Sequence, residues 1–158
     1  MTSLPDRRID ILNGPSMNLL GQRQTHLYGH DTLTDVEVSC RPLAAQFAVD
    51  LRWRQSNDEA ELLVWIQSAA EDSLGLIINP GGLTFTSQAI PDALAACGLP
   101  VIEVHISNLI KRERFRHFSR VSTQADAVIA GFGVQGYGLA IQRMAELALG
   151  ETAMPRLS

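Results

Sequence analysis

No apolar run in the sequence approaches the roughly 20 residues that span a bilayer, and the start, Met1 to Arg8, holds no hydrophobic signal core. A cytoplasmic protein with no membrane association is therefore expected. There is no surplus of positive charge either: 13 Lys and Arg stand against 17 Asp and Glu, for a formal net charge of -4. That balance argues against a nucleic-acid partner, although a local basic cluster can still hold an anionic ligand. Cysteine is scarce, and Cys40 and Cys97 lack metal-ligand spacing; at apolar helical positions they read as buried free thiols. Internal repeats and low-complexity segments are missing. What is there, 46% hydrophobic and 19% charged residues over a length of 158, suits one enzyme-like domain spanning 1–158, with loose tails at about 1–7 and 151–158.

Short apolar runs alternate with helical patterns. Strands are expected over Arg8 to Leu12, Val49 to Gln55, Leu74 to Ile78, Pro100 to Val104 and Asp126 to Ala130. The helix from about Thr32 to Phe47 places Val36, Cys40, Leu43, Ala44 and Phe47 on one face, with a capping-box match at Thr34 and Glu37 and a kink or break at Pro42. Asp58 to Glu71, about Thr86 to Cys97, and a last helix opened by Gly131 to Gly138 complete the set. This alternation predicts an α/β fold with a parallel sheet. For five strands the flavodoxin-like order 2-1-3-4-5 is favoured, a three-layer sandwich. Ligands in such sheets bind beyond the carboxyl ends of the strands where the order reverses, here between strands one and three.

Polar residues collect at those ends. The stretch Ile11 to Gly29 leaves strand one through Asn13-Gly14-Pro15 and carries Arg23, His26 and Tyr28 over about fifteen residues without a clear period, a length typical of a lid or binding loop. An arginine near a tyrosine favours the phenolate, so Tyr28 is a candidate base. Glu103 and His105, two residues apart on a strand, share a face, an arrangement that orients an imidazole for acid or base work and equally describes a satisfied structural pair. Asn79 with Gly81 and Gly82 offers close backbone approach, and Thr84, Thr86 and Ser87 add hydroxyls; a turn capping the next helix explains them as well. In Lys111 to Arg116 the positive charges suit a solvated face, with one arginine able to hold a carboxylate. Gly131 to Gly136 matches the dinucleotide fingerprint, but no second strand follows to supply the acidic ribose partner, so tight strand-to-helix packing is the reading.

Taken together, the blocks Ile11 to Gly29, Arg54 to Leu62, Ile77 to Ser87, Pro100 to Asn108, Arg112 to Phe115 and Gly131 to Tyr137 resemble, in order and spacing, the type II 3-dehydroquinate dehydratases. The resemblance implies a flavodoxin-like enzyme without metal or organic cofactor that removes water from 3-dehydroquinate by anti elimination through an enolate. It implies Tyr28 as base with Arg23 nearby, His105 as acid and Glu103 as its orienting partner. Asn79, Ile106, Ser107 and Arg112 match positions that hold substrate. Asp92 matches one that approaches a neighbouring subunit's site, in trimers assembled into dodecamers.

The chain departs from that pattern at several points. Ser16 stands for an asparagine that steadies the enolate oxygen through a water, and Phe85 for a histidine that hydrogen-bonds substrate. Ile110 and Gly82-Leu83 also differ. Three readings stay open: the dehydratase itself, a homologue acting on a related cyclic polyol acid, and a non-catalytic oligomer that binds a shikimate-type ligand.

Overall fold

A computed structural model describes residues 7–150, so the expected tails lie outside the described residues apart from Arg7. Its strands are β1 (Arg8–Asn13), β2 (Asp50–Gln55), β3 (Gly75–Asn79), β4 (Val101–His105) and β5 (Ala127–Ala130). They form one sheet in the order β2-β1-β3-β4-β5, every pair parallel. Helices α2 (Leu33–Gln46) and α6 (Gln135–Leu149) cover one face, and α3 (Glu59–Asp72) and α5 (Ala89–Cys97) the other. This is the expected three-layer flavodoxin-like arrangement.

Alternation along β1 divides the core. Ile9 and Ile11 pack with Cys40, Ala44, Ile141 and Met144 of α2 and α6, while Leu12 packs with Leu62, Ile66 and Leu94 of α3 and α5. Because the strands are parallel, Asn13, Asn79 and His105 all end at one edge, and Asn13 lies beside Asn79 in the register of β1 and β3. The order reverses there, and the crevice opens there.

Between β1, β2 and α3 sits a buried charge network. Asp10, 0% exposed, accepts from Arg52 at 2.6 and 2.9 Å and from Arg54 at 2.8 Å. Arg52 also reaches Asp72 at 2.8 Å, which holds the Asp72 carboxyl below its ordinary range, and Arg8 joins the same carboxylate at 3.0 Å. The Arg54 guanidinium stacks 4.6 Å from the Trp65 ring centroid. On this face the partly buried arginines are matched by a fully desolvated carboxylate.

Several local expectations are corrected. The stretch after β1 is not periodless loop: it contains a 3-10 turn at Met17–Leu19 and helix α1 (Thr25–Tyr28). Both pieces are too short to show a period, and each starts from a left-handed residue, Ser16 at φ 69 and Gln24 at φ 46. The capping box uses Thr32 and Asp35 rather than Thr34 and Glu37, since Asp35 N donates to Thr32 Oγ1 at 3.1 Å and Thr32 N to Asp35 Oδ2 at 2.9 Å. Helix α2 runs through the exposed Pro42 to Gln46, forgoing the hydrogen bond that its ring nitrogen cannot donate. Leu43, expected on the core face, is 37% exposed, and Cys97 is only partly buried, whereas Cys40 is buried. The helix expected from Thr86 is two helices, α4 (Leu83–Thr86) and α5, because extended Ser87 breaks the run and its hydroxyl accepts from Ile90 N at 3.0 Å. None of the described helices is long and apolar enough to cross a membrane.

Candidate active site

Three chain segments meet at the carboxyl edge. Gly14 N donates to Asn79 O at 2.7 Å, and a Cβ on Gly14 would lie 2.4 Å from Pro80 O, so only glycine lets the two strand-end turns approach this closely. Gly81, at φ +59, does the same against Pro15 O, where a Cβ would stand 2.7 Å away. The Asn79-to-Gly82 turn therefore spends Gly81 on its neighbouring turn, and Gly81 N donates to Asn79 Oδ1 at 3.3 Å. Thr84 and Ser87 are likewise structural, their hydroxyls donating to Gly81 O at 2.6 Å and Glu59 Oε1 at 2.6 Å. Ser87 Oγ, which also accepts from Ile90 N, caps α5, and Thr84 Oγ1 closes its own turn.

Below this rim lies a cavity of about 210 Å³. Its lining includes Ser16, Arg23, Tyr28, Asn79, Phe85, His105, Ile106, Ser107, Arg112 and Arg116, with Met17, Leu19, Leu20 and Leu109 as apolar wall. Of the residues to which the resemblance gives a catalytic or substrate-binding place, Glu103 and Asp92 are outside that lining. Glu103 lies directly behind His105; Asp92 is exposed on α5 and accepts from Gln88 at 3.1 Å.

Glu103 is 0% exposed and its carboxylate is fully occupied. His105 Nε2 and Ser119 Oγ, the latter at 2.8 Å, share Oε2, and Ser122 Oγ donates to Oε1 at 2.7 Å. Bonding through Nε2 leaves the Nδ1 edge of the imidazole for the cavity. Burial alone pushes the Glu103 pKa up, but the bonds from His105, Ser122 and Ser119 outweigh it and hold the group below its ordinary value. A depressed folded pKa adds stability that is complete above about pH 4.5 and is lost as pH falls through the folded value. Denaturant unfolding of wild type and Glu103→Gln is thus expected to show a stability gap at pH 7 that narrows below the ordinary glutamate range. A gap independent of pH would contradict it.

Arg112 Nη1 donates to Tyr28 Oη at 2.6 Å and to Ser107 Oγ at 3.2 Å. Its side chain is 9% exposed, so this is a sheltered charge-assisted contact. Among the described residues the guanidinium bonded to Tyr28 is that of Arg112; Arg23, which the sequence set beside it, is exposed on the cavity wall. Arg116 stood in the sequence only as one charge of a run. It lines the cavity, held by Glu113 at 2.9 Å and lying 5.5 and 4.8 Å from the ring centroids of Phe85 and Phe115, which themselves meet edge-on at 5.9 Å. Three 3-10 turns wind the segment after β4 back over the edge, and no apolar period marks such turns. Ser119 and Ser122 escaped notice for the same reason.

Ser16 presents its own local chemistry. Its N–H donates to Asn57 Oδ1 at 2.9 Å, and φ 69 is a backbone region that asparagine enters more readily than serine. Of the fingerprint glycines, Gly136 serves packing, since a Cβ there would stand 3.3 Å from Ile129 Cγ2 and 3.6 Å from Val104 Cγ1. Gly131 and Gly133, at φ +85 and +62, instead make the turn before α6, and a Cβ on Gly133 would meet nothing within 4 Å.

Residues 7–145 match the family described as dehydroquinase class II. The chain belongs to that family. Over 137 residues it is 56% identical to 3-dehydroquinate dehydratase 2 of Agrobacterium fabrum, covering 87% of this chain and 93% of the relative. It is 55% identical over 147 residues to the 3-dehydroquinate dehydratase of Streptomyces avermitilis, 92% of each chain. The crystal structure of the type II dehydroquinase from Propionibacterium acnes superposes with a TM-score of 0.84 at 39% identity, over 87% of this chain and 95% of that one. Membership in the class II dehydroquinases thus rests on nearly the whole described chain, from β1 into α6.

Proposed function

We propose that the chain is a lyase that dehydrates 3-dehydroquinate to 3-dehydroshikimate by anti elimination through an enolate. The observation that carries this reading is one cavity holding two supported proton-transfer groups, Tyr28 bonded to a guanidinium and His105 backed by a buried carboxylate. The names of the similar proteins support it. Tyr28, as phenolate and hydrogen-bonded by Arg112, takes the proton from C2, next to the ketone, leaving an enolate. The C1 hydroxyl leaves as water with a proton from His105 Nδ1, and the C1–C2 double bond forms. No step calls for a metal or organic cofactor.

The remaining lining divides the binding work. Asn79, Ser107 and the Ile106 backbone meet the substrate's carboxylate and hydroxyls, and Arg116 adds a second guanidinium suited to a carboxylate. Ser16, also in the lining, serves the developing enolate oxygen, with a hydroxyl in place of an amide. Arg23, at the mouth, rides the segment that closes over the substrate and excludes water. Asp92, outside this cavity's lining, serves a neighbouring subunit's site in a trimer that builds the dodecamer. Exposed Phe115, Phe118 and Phe132, at 61%, 66% and 59%, suit burial between copies.

Purified protein mixed with 3-dehydroquinate is expected to generate the ultraviolet absorbance of a conjugated enone carboxylate. Absence of that signal from folded protein would sink the dehydratase reading. One observation favours a second reading, turnover of a related cyclic polyol acid: the Phe85 ring, packed with Phe115 and Arg116, gives that wall no hydrogen-bond donor of its own. Under the leading proposal Phe85→His restores a donor and raises kcat/KM for 3-dehydroquinate about tenfold, the worth of one good hydrogen bond. A fall in activity on 3-dehydroquinate would shift the assignment to the related acid.

A further inference from the structure

Asn79, at the end of β3, has its amide held at both ends: Gly81 N donates to Oδ1 at 3.3 Å, and Nδ2 is engaged by groups outside the cavity. Its Nδ2 donates to Tyr137 Oη at 3.0 Å; Tyr137 Oη donates to Asn13 Oδ1 at 2.6 Å; Asn13 Nδ2 donates to the backbone oxygen of Arg54 at 3.2 Å. Every direction in this chain follows from its far end. A carbonyl oxygen only accepts, so the Arg54 oxygen turns the NH₂ of Asn13 toward itself and leaves Oδ1 facing Tyr137. The phenol must then donate to Asn13, and its lone pair is what remains for Asn79. Tyr137 and Asn13 are 0% exposed, and neither lines the cavity. The Tyr137 ring is fixed against Trp53, with centroids 5.3 Å apart. Burial pushes its phenol well above the usual range, with Asn79 pulling weakly the other way, so it stays a neutral O–H that donates and accepts at once.

We infer that Tyr137 is a positioning residue for substrate binding: the relay from Arg54 O through Asn13 and Tyr137 anchors the Nδ2 end of the Asn79 amide, whose Oδ1 end Gly81 N holds by a longer bond, and so fixes the edge that faces the ligand. The inference rests on the proposal that Asn79 holds substrate. Each link comes from a different element, Asn13 from β1, Arg54 from β2, Asn79 from β3 and Tyr137 from α6, so the folded sheet as a whole sets the polarity of one binding group. Removing the phenol oxygen leaves the Asn79 amide with the 3.3 Å bond from Gly81 N, and removing its acceptor lets the phenol O–H turn toward Nδ2, with no group of the cavity altered.

The test is a kinetic series with 3-dehydroquinate on wild type, Tyr137→Phe, Asn13→Ala, Asn79→Ala and the Asn79→Ala/Tyr137→Phe pair, each assayed well below its own Tm. Tyr137→Phe is expected to raise KM about tenfold while kcat stays within about twofold. Asn13→Ala is expected to raise KM in the same direction, because the Tyr137 hydroxyl loses the acceptor that turns its lone pair toward Asn79 Nδ2, with the ring still in place. The pair is expected to behave as Asn79→Ala alone, since the relay acts only through that amide. Unchanged KM in the single variants, or losses that multiply in the pair, would overturn the inference. A wild type that does not turn over 3-dehydroquinate overturns the dehydratase reading instead. The inference is then decided by the rise in Tm that 3-dehydroquinate produces in wild type, which Tyr137→Phe should abolish and whose survival would refute it. A wild type with neither turnover nor a Tm response overturns both.

Discussion

Tyr28→Phe is expected to lower kcat for 3-dehydroquinate about 1000-fold, within the range that a positioned general base contributes, while KM and Tm stay near wild type. A thousandfold is about 4 kcal/mol of barrier, far more than packing changes at this site supply. Phenylalanine keeps the ring of Tyr28, which lies only partly buried at the end of α1, so the local fold loses little. It removes the oxygen that Arg112 holds at 2.6 Å, and with it the group proposed to accept the C2 proton. Arg112 retains Ser107 at 3.2 Å and so keeps its place. Steady-state kinetics from enone absorbance decide the matter, with circular dichroism to check the fold. Activity within tenfold of wild type would remove Tyr28 from the role of base and direct attention to His105 for both proton transfers.

The second large effect is on stability, away from the chemistry. Asp10→Ala is expected to cost about 3–5 kcal/mol, the range found when one partner of a buried ion pair is removed. Asp10 is 0% exposed and accepts from two arginines whose side chains are 24% and 23% exposed. Without it, Arg52 and Arg54 are left as neighbouring guanidiniums in a largely dry setting. Asp72, itself 47% exposed, reaches Arg52 alone of the pair. For a chain of this size the loss corresponds to a fall in Tm of roughly 10 °C. Because Asp10 faces α3 and α5, on the far side of the sheet from Tyr137 and Asn79, kcat/KM per folded molecule is expected to be unchanged. Chemical denaturation provides the measurement. A loss under about 1 kcal/mol would mean that the arginines swing into water and that the network adds little.

How much of this was legible beforehand depends on the range of the interactions concerned. The strands were readable because runs such as Gly75–Asn79 and Val101–His105 are buried on both faces and must be apolar almost throughout. Alternation with helical periods then left the parallel order 2-1-3-4-5 as the favoured arrangement, and the site followed from the place where that order reverses. Tyr28, His105 and Glu103 were visible because their residue types suit proton transfer at strand and loop ends. The helix breaks at Ser16, Gln24 and Ser87 were not, because a backbone angle or a single hydroxyl decides each, and neither leaves a periodic trace.

The sequence by itself determined the fold class, the strand order, the edge at which polar groups gather and the family. These depend on local apolar patterning and on motifs contiguous along the chain. Only the tertiary structure decided the partners. It chose Arg112 over Arg23 for Tyr28, across 84 positions of sequence, and gave Tyr137 to Asn13 across 124. It also turned Ser119 and Ser122 onto Glu103 and packed Arg116 against two phenyl rings. The physical reason is that a hydrogen bond or an ion pair is set by angstroms and angles between side chains, and distance along a chain carries no information about either until the sheet and its turns have closed.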